Sequence, residues 1–389
     1  MFSLKGMLAW IAGFVERHLK TLLIAVALVV LTRVFAVGCY AVRMPSMTPT
    51  LIGELPDNDQ ILVDKLFYRW RPLQRFDVIV FWSRLDEKSY IKRLIGLPGE
   101  HLQFRNGNIV IDGQVLRKTL AQISSMKLPV AQWTDGGSFG DLWRRSGKGW
   151  EPKDAHAFAR SEADETAWLE FRGKVRDVYY DAQGRERTDR AVSAEPVTDL
   201  IFDLDVEIEG DCLLRIRLDD GPDRFEIVLP SRGGRFELRR NDEVTLSEEG
   251  LKSLQGRHRI LFTNVDDRLY LRVDEDPPVM SFDYHQRPSV EAPESAAAVG
   301  VQGSASEDVG SVRFLAVRLD RDIHYRRSAG AHYPPLGGDP HPISPGYYFL
   351  VGDNLPESRD SRDFGAVPED DLIGRAFAIY WPWSRIGEL

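Results

Sequence analysis

Phe202-Asp203-Leu204-Asp205-Val206-Glu207-Ile208-Glu209 alternates apolar and acidic residues without a break. Side chains at period two point to opposite faces of a strand, so this stretch predicts a β-strand with one face buried and the other in water. Leu214-Arg215-Ile216-Arg217-Leu218-Asp219 and Leu269-Tyr270-Leu271-Arg272-Val273-Asp274 repeat the pattern. Several such strands with turns between them predict a sandwich or jelly roll. The acids at 203, 205, 207 and 209 read as a solvated strand face. They alternate with apolar residues and lack the loop that a metal or sugar site would need.

On either side of these strands the character changes. The stretch 133–167 is rich in Gly, Trp and charge with no period, and reads as a long irregular connection. The stretch 288–308, rich in Ala, Ser, Glu and Gly, reads as a loop. Beyond it, Tyr347-Tyr348-Phe349-Leu350-Val351 is a short apolar strand. The residues before 120 look similar: 35–42, Gln60-Ile61-Leu62-Val63, Asp77-Val78-Ile79-Val80-Phe81-Trp82 and 91–95 all read as short strands. Asn106-Gly107 between two apolar runs signals a hairpin. The sandwich-like part is therefore expected as an insertion in an all-β part: 38–128 and 327–389 form one domain, and 129–326 the other.

Composition excludes several classes. The chain has 389 residues and a formal net charge of −9, with no basic stripe for nucleic acid. Its two cysteines, Cys39 and Cys212, are too few for a disulfide framework and read as unpaired. There is no His-Glu-x-x-His spacing and no phosphate-cradling glycine loop, so neither a metal nor a cofactor is expected. At the N-terminus, 22–31 is wholly apolar. That run is shorter than the ~20 residues that span a bilayer and could be the core of a signal peptide. Lys20 and Arg33 can snorkel to opposite interfaces, and no small-x-small cleavage site stands out, Ala36-Val37-Gly38 being the nearest. A transmembrane anchor over 18–37 is the expectation, after a cytoplasmic segment 1–17 whose Lys5 and Arg17, with Lys20, satisfy the positive-inside rule.

Ser46 lies in Arg43-Met44-Pro45-Ser46-Met47-Thr48-Pro49-Thr50-Leu51, where two prolines constrain the turn. Lys92 lies in Tyr90-Ile91-Lys92-Arg93-Leu94-Ile95-Gly96-Leu97-Pro98-Gly99-Glu100, in an apolar setting. A serine hydroxyl needs a base to become a nucleophile, and a lysine is a base only if burial keeps it neutral. Arg93 would disfavour a second positive charge, but in a strand it points to the other face. Gly352-Asp353-Asn354 follows, with Ser358, Asp360, Ser361 and Arg362.

In this order, behind an apolar segment, these three stretches resemble the bacterial type I signal peptidases. The resemblance covers roughly residues 20–120 and 343–389. It implies a membrane-tethered serine endopeptidase with Ser46 as nucleophile and Lys92 as base, cleaving signal peptides from exported preproteins through an acyl-enzyme. It implies that Ser358 orients the lysine, that Asp360 and Arg362 form a salt bridge holding the loop, and that Asp353 is a structural acid near the lysine. It also implies small residues at −1 and −3 of the cleavage site and a single-pass protein of the bacterial cytoplasmic membrane. Its catalytic domain would face the outer, periplasmic side, with part of the site near the lipid bilayer, where 67–70 and Phe81-Trp82 are candidate contacts. Many relatives carry a serine two positions before the nucleophile; here it is Met44, which cannot donate to an oxyanion, leaving the Ser46 N–H. The alternative is a catalytically degenerate, membrane-anchored binding protein that uses the insert. Arg259-Ile260-Leu261-Phe262-Thr263-Asn264-Val265-Asp266-Asp267-Arg268-Leu269-Tyr270 resembles the concanavalin-like and laminin-G-like sandwiches, and the partner of that domain is left open.

Overall fold

The computed structural model describes residues 13, 18–25, 36–53, 58–66, 71–134, 142–151, 157–159, 165–177, 193–275, 277–287, 296–303, 310–326, 332–333 and 339–389. The chain forms two units. One is discontinuous, 1–100 with 343–389, and the other is 101–342.

The discontinuous unit is built on one antiparallel sheet. Its order is Val37–Ala41, Gln60–Asp64, Leu372–Trp381, Val78–Ser83, Lys88–Gly96, Tyr347–Val351 and Val367–Pro368, with Gly387–Glu388 added beside Leu372–Trp381. The central run Val78-Ile79-Val80-Phe81 is apolar at every position because both of its faces are covered. Val78 and Val80 join one buried cluster with Met47, Leu51, Ile61 and Val63. Ile79 and Phe81 join another with Leu94, Leu350 and Leu372 on the opposite face. Phe81 is therefore core rather than a lipid contact, while Trp82 is exposed and 67–70 lie outside the described residues.

The second unit holds two large antiparallel sheets. One orders Trp150–Glu151, Ala157–Ala159, Ser311–Arg321, Leu200–Glu209, Gly256–Val265, Arg268–Val273 and Met280–Asp283, with Leu128–Thr134 also paired to Ser311–Arg321. The other orders Glu243–Leu251, Gly234–Arg240, Asp223–Pro230, Cys212–Asp220, Ala297–Gly303, Thr166–Phe171 and Trp143–Ser146. One continuous apolar cluster takes Phe202, Leu204, Val206 and Ile208 from the first sheet and Leu214, Ile216, Leu218 and Val299 from the second. The hairpin His101–Arg105 with Asn108–Ile111 turns through Asn106 and Gly107, both at positive φ, as a two-residue primed turn requires.

Three sequence expectations need correction. The transmembrane helix over 18–37 is not seen: no helix among the described residues is long and apolar enough to cross a membrane. The stretch 133–167, read as irregular, contributes several strands of two to six residues, too short for a period to register. The acidic face of 202–209 is only partly solvated. Asp203 is 1% exposed because Arg259, on the neighbouring strand, lays a bidentate guanidinium over it at 2.6 and 2.9 Å. Cys39 and Cys212 are both free thiols.

Candidate active site

The turn that carries Ser46 is fixed from several directions. Val37–Ala41 delivers the chain into a short 3-10 turn, Pro45–Met47, with Pro45 at its first position, where no N–H is needed. Met47 anchors the turn in the core. A Cβ on Gly53 would overlap the Met44 backbone, so only glycine lets the chain return this closely. Asp59 closes the base of the loop. Its carboxylate accepts from the Ile52 N–H at 2.7 Å and from Arg385 Nε at 2.8 Å, and Arg385 also donates to the Thr50 carbonyl.

Lys92 comes from Lys88–Gly96, paired with Ile79 across the sheet. It is 1% exposed, and its Nζ lies 2.6 Å from Ser46 Oγ and 2.9 Å from the Ile91 carbonyl oxygen. With the lysine charged, Nζ donates to Oγ; with it neutral, the hydroxyl donates to the amine. Burial lowers its pKa from 10.5 to about 8, against the charges of Asp360 and Asp353 and with help from Arg362. Arg93 is not among these influences. Its guanidinium grips Asp353 at 2.6 and 2.7 Å and donates to the Phe76 carbonyl.

The third segment packs under the serine. Gly352 passes so close that a Cβ would overlap Ser358 Oγ and the Ser46 carbonyl oxygen. The Gly352 N–H donates to Asp360 at 2.9 Å. The Ser358 hydroxyl donates to Asp360 at 2.5 Å. Arg362, fully buried, donates to Asp360 at 2.9 Å and to the Leu355 carbonyl at 2.8 Å. Burial pushes the Asp360 carboxyl up, but Arg362 and these hydrogen bonds more than reverse it, and its pKa lies below the usual carboxylate range. Thr50 donates to Asp353 at 2.6 Å.

The structure thus brings Ser46 and Lys92 into contact and gathers Asp353, Ser358, Asp360 and Arg362 around them. Ser358 reaches Asp360, while the lysine's own hydrogen bonds go to Ser46 and Ile91. Sequence reasoning gave no role to four residues that hold the site. Asn354 donates its backbone N–H to the Ser46 carbonyl at 3.1 Å and its amide to the Pro45 carbonyl at 3.1 Å. It stands within the quoted Gly-Asp-Asn, which was the available signal. Thr50 likewise stands within the quoted stretch around Ser46, whereas the Asp59–Arg385 pair had no signal, since partners 326 positions apart share no local spacing.

Among the described residues, one group could hold a metal ion: Asp199, Asp266 and Asp322 in the second unit, all buried, with oxygens within 4.8 Å of one another. The Lys118 ammonium already sits among them, 2.8 Å from Asp266 and 2.7 Å from Asp322. Burial and the neighbouring acids Asp266 and Asp322 hold the Asp199 carboxyl well above its ordinary range.

The family model described as signal peptidase, peptidase S26, matches residues 15–158 and 296–381. Signal peptidase I of Bacillus caldolyticus is 37% identical over 91 residues, 23% of this chain and 47% of that protein. Signal peptidase I of Leptolyngbya laminosa is 35% identical over 113 residues, 27% and 53% respectively. The chain spans about half the length of these curated relatives. Among solved structures, arcelin-5, a lectin-like defense protein from Phaseolus vulgaris, covers 49% of this chain and 97% of its own, at 8% identity and a TM-score of 0.35.

Proposed function

Since this chain belongs to the signal peptidase, peptidase S26 family, we propose that it is a serine endopeptidase that removes signal peptides from exported preproteins at the outer face of a bacterial cytoplasmic membrane. The observation that carries the reading is the 2.6 Å contact between Ser46 Oγ and the buried Nζ of Lys92. At pH 8, with a pKa of about 8, roughly half of the lysine is neutral and can take the serine proton. Ser46 Oγ attacks the scissile carbonyl carbon as its proton passes to Lys92. The resulting ammonium then protonates the leaving amine, and an ester to Ser46 remains. Lys92, neutral again, takes a proton from water, whose oxygen attacks the ester; the acid product leaves and Ser46 regains its proton.

Asn354, Gly352 and the Asp360–Arg362 pair act as positioning residues, holding the Ser46 turn before the substrate arrives. The Ser46 N–H is the oxyanion donor. Met44 adds no second hydroxyl there, and loss of one such donor costs about 10²–10³ in rate elsewhere. This chain is therefore expected on the slow side of its family. A binding-only role finds no support in the geometry, because binding through the insert does not require a lysine held in an apolar site against its preference for water. Ser46→Ala and Lys92→Ala should each abolish cleavage of a purified preprotein while circular dichroism stays unchanged. Near-normal turnover by either variant would remove the dyad.

A further inference from the structure

The second unit contains a cleft of about 350 Å³ at one end of its paired sheets. One wall comes from Pro129 and Val130 in Leu128–Thr134, and the other from Leu142 and Phe171 beside the edge strand Trp143–Ser146. The wall is locally stiff: the Arg172 N–H donates to the Leu142 carbonyl, and the Val197 N–H to that of Val175. Four of the lining residues are cationic, Arg172, Lys174, Arg176 and Arg321, and none is acidic.

In a chain of net charge −9 this is a departure. Elsewhere in the unit several exposed arginines find carboxylates: Arg144 with Glu170, Arg235 with Glu249, Arg257 with Asp205. Arg321, buried, has Asp177 at 3.2 Å, and Asp177 is shared with Arg326 at 2.8 Å. Arg172, Lys174 and Arg176 are exposed and make no ion pair among the described residues. Their alternate spacing through Gly173 and Val175 brings three cations to one opening. Beneath them the surface is apolar, with Phe171 and Val175 buried and Leu142 left 48% exposed at the rim.

Cations with no ion pair among the described residues, over an apolar floor, fit a ligand with an anionic head and an apolar body. Guanidinium forks match the oxygens of phosphate bidentately, and several cations together favour a phosphate group over a single carboxylate. The volume falls in the range of small-ligand sites, ~300–1,000 Å³. We propose that this cleft binds a phosphate ester through Arg172, Lys174 and Arg176, with its apolar part against Leu142 and Phe171. The source is either the headgroup of an anionic phospholipid or a soluble phosphate ester, and the chemistry of recognition is the same.

The test uses the full chain and two probes: glycerol 3-phosphate by calorimetry, and vesicles of phosphatidylglycerol in phosphatidylcholine, against phosphatidylcholine alone, by flotation. The test variant is Arg172→Gln/Lys174→Gln/Arg176→Gln. The control, Arg235→Gln/Arg239→Gln/Arg257→Gln, removes the same charge elsewhere on the unit. Near a charged lipid surface each cation contributes about a factor of five, so the test variant should bind about 10²-fold more weakly. The control should match the unchanged chain. Binding of glycerol 3-phosphate that the test variant loses assigns a soluble ester. Loss seen only on phosphatidylglycerol vesicles assigns the lipid headgroup. The proposal is overturned if the unchanged chain binds neither probe, if the test variant keeps its affinity, or if both variants lose it equally.

Discussion

Replacing Lys92 with Met should abolish catalysis, and its effect on stability should change sign with pH. Met keeps a similar aliphatic stem and removes the ammonium. Lys92 is fully buried, and its pKa falls from 10.5 to about 8, chiefly through loss of hydration. Folding therefore carries a charge penalty of roughly 3 kcal/mol at pH 7, at 1.36 kcal/mol per pKa unit. The substitution removes that penalty and also loses the hydrogen bonds to Ser46 Oγ and the Ile91 carbonyl, about 1 kcal/mol each. The variant should gain about 1 kcal/mol at pH 7. The unfolded lysine holds its proton up to 10.5 and the folded one only up to about 8. Between these values the unfolded state binds more protons, so the native protein gains stability as pH rises. The penalty shrinks by about 2 kcal/mol between pH 7 and pH 9.5, and at pH 9.5 the variant should be about 1 kcal/mol the less stable. Urea titration at the two pH values, read by hydrogen exchange on peptides from Lys88–Gly96, gives the difference. A difference independent of pH, or a loss above ~2 kcal/mol at pH 7, would show that Asp353 and Asp360 neutralise a charged lysine and that burial does not govern it.

Two further outcomes follow from the same site. The pH dependence of kcat/KM should show an acid limb at about 8, falling tenfold per pH unit below it; a limb near ~6.5, where unperturbed histidine titrates, would point to a different base. Gly352→Ala places a methyl group against Ser358 Oγ and the Ser46 carbonyl, so kcat should fall by about 10² through displacement of the serine turn, in a protein that remains folded by circular dichroism; unchanged kcat would mean that the Ser46 turn tolerates movement.

Strands with one face in water were the most legible part of the sequence. Phe202, Leu204, Val206 and Ile208 alternate because a single core takes them all, and that core is the one observed. The Asn106-Gly107 turn was legible because its backbone geometry admits few residue types. Short strands such as Trp143–Ser146 and Ala157–Ala159 were not, since three or four side chains cannot establish a period. The apolar run at 22–31 suggested a span, and no helix among the described residues is long and apolar enough to cross a membrane. In the site, Ser46 and Lys92 were accessible through their neighbours and their order along the chain. Charge pairs between residues far apart in the chain were not. Arg93 was discounted as a neighbour of Lys92, yet it is the buried partner of Asp353, 260 positions away. That pairing depends on the return of Tyr347–Val351 beside Lys88–Gly96, which only the folded sheet supplies.

The central claim is that Ser46 becomes covalently acylated with Lys92 as its base. Rapid acid quench of the enzyme with a saturating preprotein, followed by digestion and mass spectrometry, tests it most directly. The expected result is a signal-peptide acyl group on the Ser46 peptide, present in the unchanged chain and absent from Ser46→Ala and Lys92→Ala. An acyl group on another residue, or equal acylation of Ser46 without Lys92, would contradict it.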